Sequence, residues 1–165
     1  MQFNFFERNL ITLIAFIAFA SIFISYLLCD YNNNIFLGLL GTTATLYFGA
    51  IRYKIEDDKL FKSLFNEFND KYDSEFNDLL NTLKDNPNLE LNTDQKNLII
   101  DYLNLSAEEF LWRKKNRIPK DVWDSWRSGI INNLSIKQVN EIYNQQISDN
   151  NSKKSFYGLI EELDK

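Results

Sequence analysis

The hydrophobic pattern divides the chain near residue 54. Leu10 to Cys29 reads LITLIAFIAFASIFISYLLC, 20 residues without a charge, and Ile35 to Ile51 reads IFLGLLGTTATLYFGAI, 17 more that are also uncharged. At a helical rise of about 1.5 Å per residue the first run spans roughly 30 Å, the thickness of a bilayer's hydrocarbon core, and the second sits near the lower limit for a span. Only Asp30-Tyr31-Asn32-Asn33-Asn34 separates them. Two spans joined by so short a turn predict an antiparallel transmembrane hairpin.

Arg8 precedes the first run and Arg52 and Lys54 follow the second, while the turn carries Asp30 and no base. The positive-inside rule then predicts both termini in the cytoplasm and an inner-membrane location. The competing reading, a cleaved signal peptide, is disfavoured because no A-x-A-like site follows the first run and a second span does. Tyr26, Tyr31 and Tyr53 fall where interfacial aromatic anchors are expected. Gly38, Thr42, Thr45 and Gly49 share one face of the second span, and Ala18, Ser21 and Ser25 share one face of the first. Small and hydroxyl residues let helices approach closely in lipid. The Gly/Thr face suits packing within the hairpin or, in a second reading, a contact between subunits. Neither span holds a charge, which argues against a standing ion path or proton relay.

Beyond Arg52 the chain turns polar but keeps a helical period. Phe61, Phe65, Phe68, Tyr72, Phe76, Leu79 and Leu83 recur at steps of three and four, the stripe of an amphipathic helix close to a heptad seam. This predicts a helical stalk over residues 55–85 whose aromatics pack against downstream helices. Asp85-Asn86-Pro87-Asn88 breaks it. Thr93 is the expected N-cap of a helix from Asp94 to about Leu105, Ser106 that of the next, with Glu109 at its capping-box position. Further helices are expected over Asp121–Ile131, Ile136–Ile147 (capped by Ser135) and Leu159–Leu163, with a polar turn over Ser148–Lys154. No strand-like alternation occurs. The prediction is an all-α protein: a hairpin over residues 1–54, a stalk over 55–85 and a cytoplasmic helical ligand-binding domain over 93–165.

Charge and composition narrow the chemistry. The formal net charge is −5, and residues 55–85 alone hold nine acids and four bases, so the rest of the chain is neutral overall. With one cysteine, Cys29, and no histidine, an internal disulfide, a His-ligated metal and a histidine-based nucleophile system are all excluded. Carboxylates such as Glu108 and Glu109 are candidates for catalysis, but nothing in the sequence pairs them with a partner. The expectation is a protein that is not an enzyme and holds no metal or cofactor.

One stretch stands apart. WRKKNRIPKDVWDSW, from Trp112 to Trp126, contains all three tryptophans, Trp112, Trp123 and Trp126. Five bases, Arg113, Lys114, Lys115, Arg117 and Lys120, lie between Trp112 and Lys120 without an acid, and Arg127 follows. Cations interleaved with large aromatic faces suit single-stranded nucleotides, because the cations take phosphates and the rings stack bases. Pro119 and the turn around Asn116 would present these groups on a loop. Three other readings stand beside this one: Trp123 and Trp126 as core, the basic run as a partner for acids of a neighbouring stalk, or the same run against anionic lipid headgroups.

In architecture, and over YLNLSAEEFLWRKKNRIPKDVWDSWRSGI (Tyr102–Ile130) and SFYGL (Ser155–Leu159), the chain resembles the small two-span membrane accessory effectors of type III CRISPR systems of the vibrio type. The resemblance implies an anti-phage effector that binds a cyclic oligoadenylate, in this case cyclic tetra-adenylate, on its cytoplasmic domain. It also implies a homotetramer, whose four-fold ring would match a four-fold ligand, and a perturbed membrane on binding. No duplex nucleic acid is expected as a partner. The alternative is a membrane-tethered adaptor or toxin subunit of another defence system, with the tryptophans as anchors for a protein partner.

Overall fold

The computed structural model describes residues 5–29 and 32–164. Asp30 and Tyr31 of the expected turn lie outside the described residues. Every regular element among them is helical. Two compact units divide between Lys59 and Leu60.

The first unit contains α1 (Phe5–Cys29) and α2 (Asn33–Lys71) as far as Lys59. Both are long and apolar enough to cross a membrane, and no residue of either apolar window is buried within the protein. A core helix of a water-soluble protein would hide such a surface. The two helices meet at Tyr26, whose ring stacks on Phe36 at 4.2 Å and whose hydroxyl donates to Asn33 Oδ1 at 2.8 Å. Farther along, Ile11, Ala15 and Ala18 face Thr43, Tyr47 and Ala50 across an apolar cleft.

The Gly38, Thr42, Thr45 and Gly49 face does not take part in that packing: all four are exposed. Packing within the hairpin is therefore not what this face does. Its hydroxyls turn inward along their own helix, Thr42 donating to the Gly38 carbonyl and Thr45 to the Gly41 carbonyl, each at 2.9 Å. A β-carbon at Gly38 or Gly49 would meet open space. On α1, Ala18 and Ser25 are half-buried and Ser21 is exposed.

The second unit is a helical domain. It takes in the end of α2, a π-helical segment (Tyr72–Phe76), α3 (Asn77–Asp85), α4 (Thr93–Lys114), α5 (Lys120–Leu134), α6 (Lys137–Gln146), α7 (Asn150–Ser155) and α8 (Leu159–Leu163). The expected stalk divides differently from the prediction: residues from Leu60 onward belong to this domain, because the inner face of the helix is its core. Leu64, Phe68, Phe76, Leu80 and Leu83 are buried, while Phe65 is exposed and Phe61 and Leu79 are half-buried. The π segment accounts for the changed register. It winds one extra residue into its turn, so the buried face passes to Leu80 where an unbroken α-helix would have chosen Leu79.

Four boundaries differ from the sequence expectation. Asn92, not Thr93, caps α4: its side chain accepts from the Gln95 backbone N–H at 2.9 Å, and Gln95 Oε1 accepts from the Asn92 N–H at 3.1 Å. This is a complete capping box. Ser106 starts no new helix; it is buried inside α4 and donates to the Tyr102 carbonyl at 3.0 Å, a local bond that lets a serine sit mid-helix. Ser135 closes α5 instead of opening α6. The polar stretch before Ser155 forms α7 rather than a turn. The linker between α3 and α4 is pinned by buried Gln138, whose amide nitrogen donates to the carbonyls of Pro87 and Leu89, both at 3.1 Å.

Candidate functional site

The tryptophan-basic stretch forms the end of α4, a short loop and the start of α5. The helix stops at Lys114 and Asn116 turns left-handed, with φ 57°, a conformation that asparagine tolerates better than most residues. The Arg117 N–H returns to the Trp112 carbonyl at 3.0 Å. Pro119, whose ring presets φ, stands at the N-cap of α5.

Within this frame most of the cations already have work. Arg113 Nη1 donates to the Ile118 carbonyl at 2.9 Å and holds the loop closed. Lys114 Nζ donates to the Tyr157 carbonyl at 2.9 Å. Tyr157 and Gly158 carry φ of 55° and 91°, so Lys114 secures the left-handed turn that leads into α8. Arg127, through Nε and Nη2, bonds the carbonyls of Glu162 and Leu163 at the far end of that helix, where a cation also offsets the negative end of the helix dipole. Lys120 pairs with Asp124 one turn on. Lys115 lies over the Trp112 ring, 4.6 Å from its centroid, within cation–π range. Arg117 is half-buried beside the turn.

The three tryptophans separate. Trp123 is 2% exposed and packs on Phe110 with centroids 5.2 Å apart. It is a core residue, and a base has no access to its ring. Trp126 is half-buried, stacked on Phe65 and edge-on to Phe68 at 5.8 and 5.9 Å. Trp112 is half-buried on the core's margin. Trp112, Arg113, Lys114, Lys115, Arg117 and Lys120 are thus brought to one region around the α4–α5 loop. Trp123 is withdrawn into the interior, and Trp126 and Arg127 are spent on packing and helix capping.

A shallow depression of about 460 Å³ lies against this region, lined by Phe110, Arg113, Lys114, Asn116, Gly158, Glu161 and Glu162. Its charge is mixed: the cations at one wall face carboxylates from α8.

A second constellation forms around Glu109, which the sequence left without a partner. Glu109, which the capping-box pattern places at a helix start, is mid-helix and only 8% exposed. Burial, with a smaller push from Glu108, raises its carboxyl from 4.5 to about 8. It lines a cavity of about 210 Å³ together with Phe68, Tyr72, Tyr102, Trp126 and Asn133. The Asn133 amide donates to the Tyr102 hydroxyl at 2.9 Å and to the Tyr72 hydroxyl at 3.3 Å. Burial also raises the Tyr102 phenol. Only the packing of α4 and α5 against the π segment assembles these residues, and no spacing in the sequence marks them. Among the described residues no group of three or more His, Cys, Asp or Glu side chains is placed to hold a metal.

Fold and site together define an all-α chain with two helices able to cross a membrane and a helical domain bearing a cationic-aromatic loop. No protein-family model matches the chain, and neither the curated proteins nor the solved structures provide a match.

Proposed function

We propose that this protein is a non-catalytic membrane effector of anti-phage defence. Its two apolar helices cross the inner membrane as a hairpin with both termini in the cytoplasm. Its helical domain binds a cyclic oligoadenylate, cyclic tetra-adenylate on the resemblance drawn above, at the α4–α5 loop of a homotetramer. Occupancy shifts the hairpin toward a pore-forming or membrane-disrupting arrangement, and α2, which carries residues of both units, transmits the change.

The observation that carries the reading is the cation-on-aromatic pair Lys115–Trp112, followed by Arg117 in the loop and Lys120 at the first position of α5. A phosphate at this loop meets several cations, and the ring beneath Lys115 is free to take a base once the ammonium swings to phosphate. The exposed Gly38, Thr42, Thr45 and Gly49 face supports an oligomer, because it leaves α2 a surface on which a second hairpin can approach closely. A ligand shifts such an equilibrium only by its differential affinity for the two arrangements, and a usable switch needs roughly 3–5 kcal/mol.

The test is direct binding. Full-length protein in detergent is titrated with cyclic tri-, tetra- and hexa-adenylate by calorimetry. Wild type should bind one ring size, and Lys115→Ala combined with Arg117→Ala and Lys120→Ala should weaken it at least tenfold at unchanged melting temperature. Absence of binding to every ring would favour the membrane-tethered adaptor, for which the exposed Phe65 stacked on Trp126 offers an aromatic anchor to a protein partner.

A further inference from the structure

The cavity at Glu109 has chemistry that a nucleotide site does not use. Its one acid is 8% exposed, and no lysine or arginine lines the walls. Ionising a largely buried carboxyl without a counter-charge is costly. Around it stand the rings of Phe68, Tyr72, Tyr102 and Trp126. Tyr72 and Tyr102 lie with centroids 6.1 Å apart, and Trp126 is edge-on to Phe68. Asn133 fixes the two tyrosines through their hydroxyl oxygens. Gly129 on α5 also lines the cavity and is exposed, and a β-carbon there would touch nothing within 4 Å.

Three ligand classes meet an objection here. An anion would find no lysine or arginine on the walls to receive it. A neutral apolar molecule would leave the acid without a partner. The volume of about 210 Å³ falls below the roughly 300–1,000 Å³ of sites that take whole drug-sized molecules, so a cyclic oligonucleotide does not fit inside. A small organic cation suits the acid and the rings together: its charge pairs with Glu109 and its alkyl hydrogens lie on aromatic faces, whose quadrupoles attract cations.

We infer that the Glu109 cavity is a binding site for a small primary ammonium or guanidinium group, caged by Phe68, Tyr72, Tyr102 and Trp126. The site is separate from the α4–α5 loop and stands whether or not that loop binds nucleotide. On binding, the carboxylate replaces the carboxylic acid and the proton leaves to solvent. The ionisable groups facing Glu109 are Tyr102 and Glu108 on its own helix and Tyr72 on the π segment. All three are neutral or negative, so none competes with the ligand as counter-ion.

The experiment uses full-length protein in detergent and titrates n-butylammonium and methylguanidinium by calorimetry at pH 7 in two buffers of different ionisation heat. n-Butanol and butyrate serve as neutral and anionic controls. At least one of the two cations should bind at millimolar concentration or better with release of up to one proton, and neither control should bind. Glu109→Gln should weaken cation binding at least tenfold. Gly129→Leu, which adds bulk at the cavity's exposed side and leaves the acid in place, should do the same while the protein stays folded. If neither cation binds wild type, or if Glu109→Gln binds as tightly as wild type, the assignment is overturned.

Discussion

The Arg127 guanidinium donates to the Glu162 carbonyl from both Nε, at 3.2 Å, and Nη2, at 3.0 Å. A residue that reads in the sequence as a phosphate ligand is thus occupied in tying the last helix to α5. Hydrogen bonds from a charged donor are worth more than neutral ones, about 1.5–3 kcal/mol each, and a solvated helix end recovers part of that from water. Arg127→Ala should therefore destabilise the domain by about 2 kcal/mol and release α8. Limited proteolysis should then cut near Gly158, where wild type resists. An unchanged denaturation midpoint together with an intact C-terminal helix would refute this role.

The tryptophans should divide by experiment as they divide by burial. Trp123→Ala removes a fully buried indole and should cost about 3–5 kcal/mol. Its Nε1 has no hydrogen-bond partner, so Trp123→Phe should recover much of that loss. Trp112→Ala, on the core's margin, should cost about 1 kcal/mol yet reduce nucleotide binding. Chemical denaturation of the three variants, read beside ligand titration, separates the two kinds of effect.

Glu109 sets a pH dependence whose sign is fixed by its raised carboxyl. Between its ordinary value of 4.5 and about 8 the folded chain holds a proton that the unfolded chain has released. Its contribution to stability is therefore complete below pH 4.5 and declines as pH rises through about 8, after which it levels. The slope approaches ~1.4 kcal/mol per pH unit inside that window. Glu109→Gln, which cannot ionise, should flatten this part of the curve and gain on wild type most above pH 8. Urea midpoints at pH 5, 7 and 8.5 measure the difference. Parallel curves for the two proteins would contradict the burial argument.

Membrane topology can be read through a single atom. Cys29, the one cysteine of the chain, is exposed at the end of α1. Under the proposed topology, with both termini in the cytoplasm, its thiol lies at the outer face. A membrane-impermeant maleimide added to intact spheroplasts should label it, and Ala substituted at Cys29 should abolish the label. Labelling only after lysis would reverse the orientation.

Much of the fold was legible in sequence because it rests on local rules. Two charge-free runs, a three-four stripe and the Asn86-Pro87 break each act within a few residues of themselves. The errors fell where a local signal was outbid by distant packing. Ser106 has the makings of a cap, but Leu103, Ala107 and Phe110 are all buried in the core, and burying them keeps α4 unbroken past it. Leu79 gave way to Leu80 because the π turn at Tyr72–Phe76 rephases the helix.

The site divides along the same line. Sequence alone determined that cations and tryptophans crowd between Trp112 and Arg127, and that two helices lack any charge over the length of a bilayer, since composition and spacing are properties of the chain itself. Tertiary structure alone decided which of those cations bond carbonyls, that Trp123 is core, that the Gly38–Gly49 face stays open, and that Glu109 meets Tyr72, Tyr102 and Asn133. Those residues come from three elements separated by as many as 61 positions. Whether a side chain is ligand, cap or core depends on what the fold sets beside it, and that neighbour is seldom adjacent in the chain.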